Sequence, residues 1–170
     1  DERVGSTASF APAFRIARRA GLVGVPHGGE LLGPSSVREV VSTLAPARLG
    51  HGVRTSEDPD LLKAVVDAGI ALEVCPTSNV HLGVYTDFSQ VPLPTLLSAG
   101  ARIALAADDP LLFRSRLVAQ YEVARDVFGL SDEALASLAQ SSIDASLASA
   151  SRKAAGKADI DVWLATEPAA

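Results

Sequence analysis

The chain has 170 residues, of which 48% are apolar and 21% charged, and this suffices for one globular domain with a sizeable core. Its net charge of −5, with Lys and Arg scattered along the sequence, argues against a nucleic-acid partner. No apolar run reaches the roughly 18 residues that cross a bilayer, and no signal peptide is visible, so no membrane association is expected. A single Cys cannot form an internal disulfide, which favours a cytoplasmic protein.

The first part of the chain predicts two helices, each followed by a strand. A helix with Phe at helical spacing precedes a short apolar strand over residues 21–27. Ser36 and Glu39 have the spacing of a capping box, which predicts a helix with an apolar face that runs to Leu44. A second, weaker strand is predicted over 47–51.

The second part continues the alternation. A helix over 58–68 precedes a strand over 70–75, and a short helix over 92–99 precedes a strand over 102–107. Both helices end at a Gly, which is typical of a helix carboxyl terminus. Further helices are predicted over 112–128, 132–150 and 160–164.

The alternation of strands and helices predicts an α/β fold with a parallel sheet. Four βα units with carboxy-terminal helices amount to about the second half of an eight-unit (β/α) barrel of the TIM type, or to a small open sheet. Residues 1–165 are predicted to form this half-barrel, and residues 166–170 a frayed tail.

Polar side chains stand where the predicted strands end. His27, His51, Cys75 and Asp108 each lie at or just beyond the carboxyl end of a strand. In parallel α/β folds the loops at that edge converge on one opening, and active sites are built there. The sequence therefore predicts that these segments form one site.

Two segments carry a His beside Gly. In His27-Gly28-Gly29-Glu30 the Gly pair permits a sharp turn, so that His27 can bind a metal and Glu30 can act as acid or base. The alternative is a plain turn with an exposed Glu. His51, between two Gly, is suited to presenting its imidazole to a cleft, whereas the alternative is a His that bonds to a backbone carbonyl.

The other two segments are less specific. The adjacent carboxylates of Asp108 and Asp109 repel each other unless a cation lies beside them, which points to a metal, although an Asp that caps a helix before Pro110 is a common alternative. Cys75 is more simply a buried residue than a nucleophile, and His81 lies in a loop with little sign of a role.

The four segments, taken in order, resemble the adenosine deaminase family of the amidohydrolase superfamily. Segments 27–30 and 48–52 resemble the family's His-Ala-Gly-Glu and Arg-Ile-Gly-His-Gly motifs. Segments 75–79 and 107–110 resemble its Cys-Pro-x-Ser-Asn and Thr-Asp-Asp-Pro motifs. Each motif alone is weak, whereas the ordered set is specific.

The resemblance implies a barrel enzyme with a Zn²⁺ cofactor that removes the 6-amino group of a purine nucleoside, converting adenosine to inosine and ammonia. His27 and Asp108 would be zinc ligands. Zinc would lower the pKa of its bound water towards 7. The small-molecule nucleoside would be the partner, and no nucleic acid or membrane is implied.

The resemblance also assigns the remaining roles. Glu30 would donate a proton to N1 of the purine, and burial would raise its pKa towards that task. His51 would orient the zinc-bound water, with deprotonation of that water as a further role. Asp109 and Gly29 would contact the purine ring.

The resemblance covers only one half of the family's site. The family takes two further zinc ligands from a His-x-His on its first strand, and that motif is absent here. The chain also begins at Asp1 without Met, which indicates a piece of a longer protein, or else removal of an initiator Met. We therefore expect the chain to be inactive alone, and to associate with a copy of itself or with a missing amino-terminal half.

Other functions stay open. Aminodeoxyfutalosine, a 6-amino purine nucleoside of menaquinone synthesis, is an alternative substrate because residues 79–85 depart from adenosine-specific members, and adenine is a less favoured one. A non-catalytic half-barrel with a structural role is the alternative from another class. A small phosphate-binding α/β protein is disfavoured, since Gly28-Gly29 is too short for a phosphate loop.

Overall fold

The computed structural model describes residues 2–166 and contains one sheet of four parallel strands. Their spatial order is the chain order, and each strand pairs with the next. The predicted α/β class is therefore confirmed. The strands are β1 (His27–Gly28), β2 (Arg48–His51), β3 (Ala71–Val74) and β4 (Ile103–Leu105).

Nine α-helices and two short 3-10 helices surround and follow the sheet in the described part of the chain. The α-helices are α1 (Thr7–Arg19), α2 (Pro34–Leu44), α3 (Pro59–Asp67), α4 (Pro76–His81), α5 (Leu93–Ser98), α6 (Pro110–Phe113), α7 (Leu117–Asp126), α8 (Asp132–Ala145) and α9 (Ala150–Ala165). The 3-10 helices are Val53–Glu57 and Phe88–Gln90. None of the helices within residues 2–166 has the length and apolar character that a membrane span requires.

The first strand is shorter than predicted. Gly24 and Pro26 still accept hydrogen bonds from the backbone N–H groups of Ala47 and Gly50, at 3.0 and 2.9 Å. Pro26 has no N–H to donate, so the regular ladder is confined to β1 at the edge of the described sheet. The predicted strand over 21–27 is thus mostly an extended segment beside β2.

Two helix starts also differ from prediction. Helix α2 begins at Pro34 after Gly33, so Ser36 is not the capping residue, and its hydroxyl bonds to Glu2 instead. The helix predicted over 112–128 is interrupted because Arg114 adopts a left-handed φ of 50°, which separates α6 from α7.

The two faces of the sheet differ in composition. Leu49, Leu72 and Ile103 lie side by side in register and are fully buried, in a cluster with apolar residues of α2, α3, α5 and α8. The row across the other face includes Glu73 and Ala104, which stay partly exposed. One face is thus packed under helices, and the other, called the open face below, is partly exposed at Glu73 and Ala104 although Ala71 on it is buried.

The predicted tail lies almost entirely outside the described residues. Thr166 is the last described residue, and 167–170 are not described.

Candidate active site

Three predicted site residues meet at the carboxyl edge of the sheet. His51 ends β2, Glu30 lies two residues beyond β1, and Asp108 lies three residues beyond β4. The His51 Nε2 atom is 3.4 Å from Glu30 Oε1 and 3.8 Å from Asp108 Oδ2. The potential ligand atoms of the three side chains all lie within 4.8 Å of one another.

The backbone at this edge is unusual. His51 and Asp108 have φ angles of 61° and 58°, in the left-handed region that non-Gly residues seldom adopt. His51 thereby leaves the side-chain alternation of β2, and its imidazole reaches Glu30 rather than continuing the buried row of Leu49. Such strain is typical of functional sites.

Glycine is required on the loop after β1. Gly29 has a φ of 70°, and a Cβ atom there would lie 2.3 Å from Val37 Cγ2. Any other residue at position 29 would force the buried Val37 side chain aside and would adopt the positive φ at a steric cost. The Gly-Gly pair of the sequence motif therefore has a local steric reason, besides any contact with a substrate.

Helix α4 supports the site from behind. The Ser78 hydroxyl donates to Asp108 Oδ2 at 2.6 Å, and Asn79 Nδ2 lies 3.4 Å from His51 Nδ1. Both α4 residues are fully buried. Thr77 is tied in turn to Gln120, whose Oε1 accepts from the Thr77 backbone N–H at 3.1 Å. The motif segment 75–79 thus makes direct contacts that orient Asp108 and His51.

The Asn79 amide influences the protonation of His51. With its nitrogen towards the ring, it donates to Nδ1, and the ring proton then lies on Nε2, facing Glu30. Asn79 Oδ1 is buried and has no hydrogen-bond partner among the described residues. The opposite amide orientation would let Oδ1 accept from Nδ1–H and would leave Nε2 with a free lone pair.

Electrostatics favour a neutral pair at pH 7. Burial, reinforced by the negative charges of Asp108 and Glu2, raises the pKa of Glu30 to about 7. Burial also lowers the pKa of His51, although the charge of Asp108 opposes this. Near neutral pH, Glu30 is therefore able to donate a proton and His51 to accept one.

The other predicted residues lie around this trio. His27 is exposed, and its ring centroid is 5.3 Å from that of His51. Asp109 is exposed and caps α6, since its Oδ1 accepts from the backbone N–H groups of Leu111 and Leu112 at 3.0 Å each. The capping alternative is thus observed for Asp109, while its second carboxylate oxygen makes no bond to α6.

Cys75 and His81 do not join the trio. Burial raises the pKa of the Cys75 thiol to about 12, so no appreciable thiolate forms at neutral pH. His81 packs its ring near Phe113, with centroids 6.0 Å apart. Glu2 and Gln120 also support the site but were not predicted from the sequence, because Glu2 bonds to residues 29–36, Gln120 bonds to Thr77, and no motif marks these pairings.

The trio has the donor set of a metal site. One imidazole and two carboxylates suit Zn²⁺, and the buried Glu30 Oε1 lacks a hydrogen-bond partner among residues 2–166. The bond from Ser78 orients Asp108 as outer partners of metal ligands do. The residues present therefore fit a divalent cation.

Comparison with known proteins identifies the family. A sequence profile described as adenosine deaminase matches residues 1–163. A Streptomyces virginiae protein, named provisionally as an adenosine/adenine deaminase, is 54% identical over 164 residues, covering 96% of this chain and 48% of the relative. An adenine deaminase structure from Arthrobacter aurescens is 31% identical with a TM-score of 0.94, covering 98% of this chain and 51% of that one. A zinc-bound amidohydrolase structure from Burkholderia ambifaria is 26% identical with a TM-score of 0.82, and the match covers 91% of this chain and 44% of that one.

The chain spans about half the length of the relatives that it matches. Its four parallel strands and their helices form about half of a (β/α) barrel, as predicted. The match extends over almost every residue of the chain and includes all four motif segments. The chain therefore belongs to the adenosine deaminase family.

Proposed function

We propose that the chain forms the proton-transfer part of the active site of a zinc-dependent enzyme that hydrolyses the 6-amino group of a purine. The observation that carries the proposal is the position of Glu30. Its carboxyl group lies 3.4 Å from His51 Nε2, and its pKa is raised to about 7. A carboxyl group that is half protonated at neutral pH is suited to act as a general acid.

The described residues divide the chemistry between them. Protonated Glu30 donates to the ring nitrogen beside C6, which makes C6 more electrophilic. Neutral His51 accepts a proton from the attacking water at Nε2, in the tautomer whose Nδ1–H donates to Asn79 Oδ1. The water oxygen bonds to C6, His51 returns its proton to the 6-amino group, and the C6–N bond breaks as ammonia leaves. The proton of the new C6 hydroxyl passes to the Glu30 carboxylate, which leaves the 6-oxo purine and restores both side chains.

Asp109 contacts the purine ring through its carboxylate. Gly29 contacts the ring by packing, since its N–H and carbonyl are bonded to Glu2 and Arg54.

Metal binding is proposed for His27 and Asp108, so that of the trio only Asp108 would bind the ion, while Glu30 and His51 would face it as proton donor and acceptor. Zinc, when bound, would lower the pKa of a water molecule towards 7. Two ligands form a weak and open site, so the proposal requires further ligands from outside this chain. The zinc in the Burkholderia ambifaria structure supports this choice of metal.

The substrate is proposed to be a 6-aminopurine, either adenosine or free adenine. Adenosine follows from the four motifs. Adenine gains support from the Arthrobacter aurescens adenine deaminase, whose fold matches 98% of this chain. The contacts proposed for Glu30, Asp109 and Gly29 are all with the purine ring, which both compounds share.

Activity is tested by complementation. Ammonia release from adenosine, adenine and aminodeoxyfutalosine is measured for the chain alone and together with the unmatched half of the Streptomyces virginiae relative. We expect no turnover by the chain alone, turnover of one substrate by the mixture, and a loss of about 10²–10⁴-fold on Glu30→Gln. Glu39→Gln, an exposed change on α2, is the control. Full activity of Glu30→Gln would contradict the proposed acid, and absence of turnover on every substrate would favour a non-catalytic role.

Metal binding and assembly are tested on the same proteins. Zinc per chain is expected to fall on Asp108→Ala and to stay unchanged on Asp67→Ala, whose carboxylate is exposed and paired with Lys63. Equal zinc content in the two variants would remove Asp108 from the metal site. We also propose that the open face pairs with a second copy or with the other half, which sedimentation of the chain alone and of the mixture would detect.

A further inference from the structure

The Glu2 carboxylate is bound by a run of backbone amides. The N–H groups of four consecutive residues on the loop after β1 donate to its two oxygens, and a hydroxyl of α2 adds a fifth bond. The donors are Gly29 (2.5 Å), Glu30 (3.2 Å), Leu31 (2.6 Å), Leu32 (2.9 Å) and the Ser36 hydroxyl (3.1 Å). A carboxylate that fills a nest of this kind fixes the path of the backbone around it.

The chemistry of the nest requires a charged acceptor. Burial acts to raise the pKa of Glu2, but the hydrogen bonds from Leu32, Leu31, Gly29 and Ser36 outweigh it, and the pKa is lowered. Glu2 is therefore ionised at neutral pH. All five groups donate to Glu2. The side-chain amide of Gln at this position would replace one accepting oxygen by an NH₂ group that faces other hydrogen-bond donors.

The opposite side of the same loop is also held. The Arg54 backbone N–H donates to the Gly29 carbonyl at 3.0 Å, and the Arg54 guanidinium donates to the Leu31 carbonyl at 3.0 Å. Arg54 is itself fixed by Glu57, at 2.7 Å. The residues before and after Glu30 are thus bound through their N–H groups on one side and their carbonyls on the other.

Glu30 is the residue between these two anchored neighbours. Its N–H group belongs to the Glu2 nest, whereas its side chain turns to His51. A displacement of the loop would change the distance from the Glu30 carboxyl to His51, because no hydrogen bond to another described residue holds Glu30 Oε1. The loop backbone therefore sets the position of the acid.

We propose that Glu2 is a positioning residue, whose ionised carboxylate holds the backbone of residues 29–32 and thereby places the Glu30 carboxyl against His51. The catalytic meaning of this placement rests on the proposed role of Glu30 as acid. The placement itself depends on neither a metal nor a substrate.

The experiment compares Glu2→Gln with the control Glu39→Gln in the full chain, since both changes remove one negative charge. Amide hydrogen exchange at Gly29, Leu31 and Leu32 and the His51 imidazole resonances are measured by NMR at one pH. We expect exchange at these amides to accelerate by about tenfold or more in Glu2→Gln, since charge-assisted bonds are lost. We also expect the His51 resonances to shift, and neither change in Glu39→Gln.

The milder variant Glu2→Asp keeps the charge and separates charge from volume. We expect it to retain more amide protection than the isosteric Glu2→Gln, whereas a role in packing alone predicts the reverse order. Unchanged exchange in Glu2→Gln would overturn the proposal, as would faster exchange with unmoved His51 resonances. These measurements need no turnover, so a failure of the deaminase proposal would appear in the ammonia assay and not here.

Discussion

The two faces of the sheet show what this chain completes by itself and what it does not. Leu49, Leu72 and Ile103 form a continuous buried row on the face packed under helices. On the other face, Arg48 and Glu73 form an ion pair of 3.0 Å while each keeps about a quarter of its side-chain surface exposed, 27% and 25%. The covered face thus supplies stability, and the open face supplies the surface on which the remainder of a barrel would close.

The largest effect is expected on the covered face. Leu72 is fully buried at the centre of the sheet, so Leu72→Ala should lower the free energy of unfolding by about 3 kcal/mol, as buried Leu-to-Ala changes do. Its neighbour Glu73 faces the open side, and Glu73→Ala should cost less than about 1 kcal/mol. Urea unfolding of both variants checks the difference. Equal losses would show that the two faces contribute alike to stability.

The site at the edge of the sheet is expected to reduce stability at neutral pH. The pKa of Glu30 is raised in the folded chain to about 7 from 4.5, so its contribution to stability is fully present below pH 4.5 and is lost as the pH rises through 7. Glu30→Gln removes this loss and should be more stable than the wild type at pH 8 by about 2 kcal/mol, with the gain vanishing near pH 4.

Urea unfolding of metal-free protein at several pH values between 4 and 8 measures this effect. Glu39→Gln, an exposed carboxyl on α2, is the matched control and should show no such dependence. A constant difference between Glu30→Gln and the wild type across this range would mean that the Glu30 carboxyl titrates normally. The acid would then lack the property on which its proposed role depends.

Sequence patterns predicted the strands of the sheet better than they predicted where the first strand and helix α2 begin. Strands β2, β3 and β4 lie within the apolar runs assigned to them, because the face that packs under the helices needs apolar side chains such as Leu49, Leu72 and Ile103. The first run failed as a full strand because Pro26 cannot donate a hydrogen bond. Ser36 matched a capping box, but Gly33 and Pro34 start the helix earlier, and a local pattern cannot rank two such starts.

The same limit applies to the site. Glu30, His51 and Asp108 could be predicted to meet because each follows a strand of one parallel sheet, and the carboxyl ends of such strands share an edge. Glu2 and Gln120 could not, because Glu2 reaches its partners across at least 27 residues and Gln120 reaches Thr77 across 43. Their bonds are to backbone or hydroxyl groups that no motif marks. Their roles emerge only once the chain is folded.

The smallest effect is expected for the ion pair on the open face. Partly exposed ion pairs contribute little to stability, because water screens the charges and both side chains lose conformational freedom. A double-mutant cycle with Arg48→Met and Glu73→Gln should therefore give a coupling free energy below about 1 kcal/mol. This coupling should decrease with added salt. When the other half of the barrel covers this face, water is excluded and the coupling should increase, which the same cycle measured on the complemented protein would detect. A coupling that is already strong and insensitive to salt in the chain alone would mean that the face is covered by the chain itself or by a second copy. The two faces would then both be covered in the chain alone, and the open face would not be free to pair with the other half of a barrel.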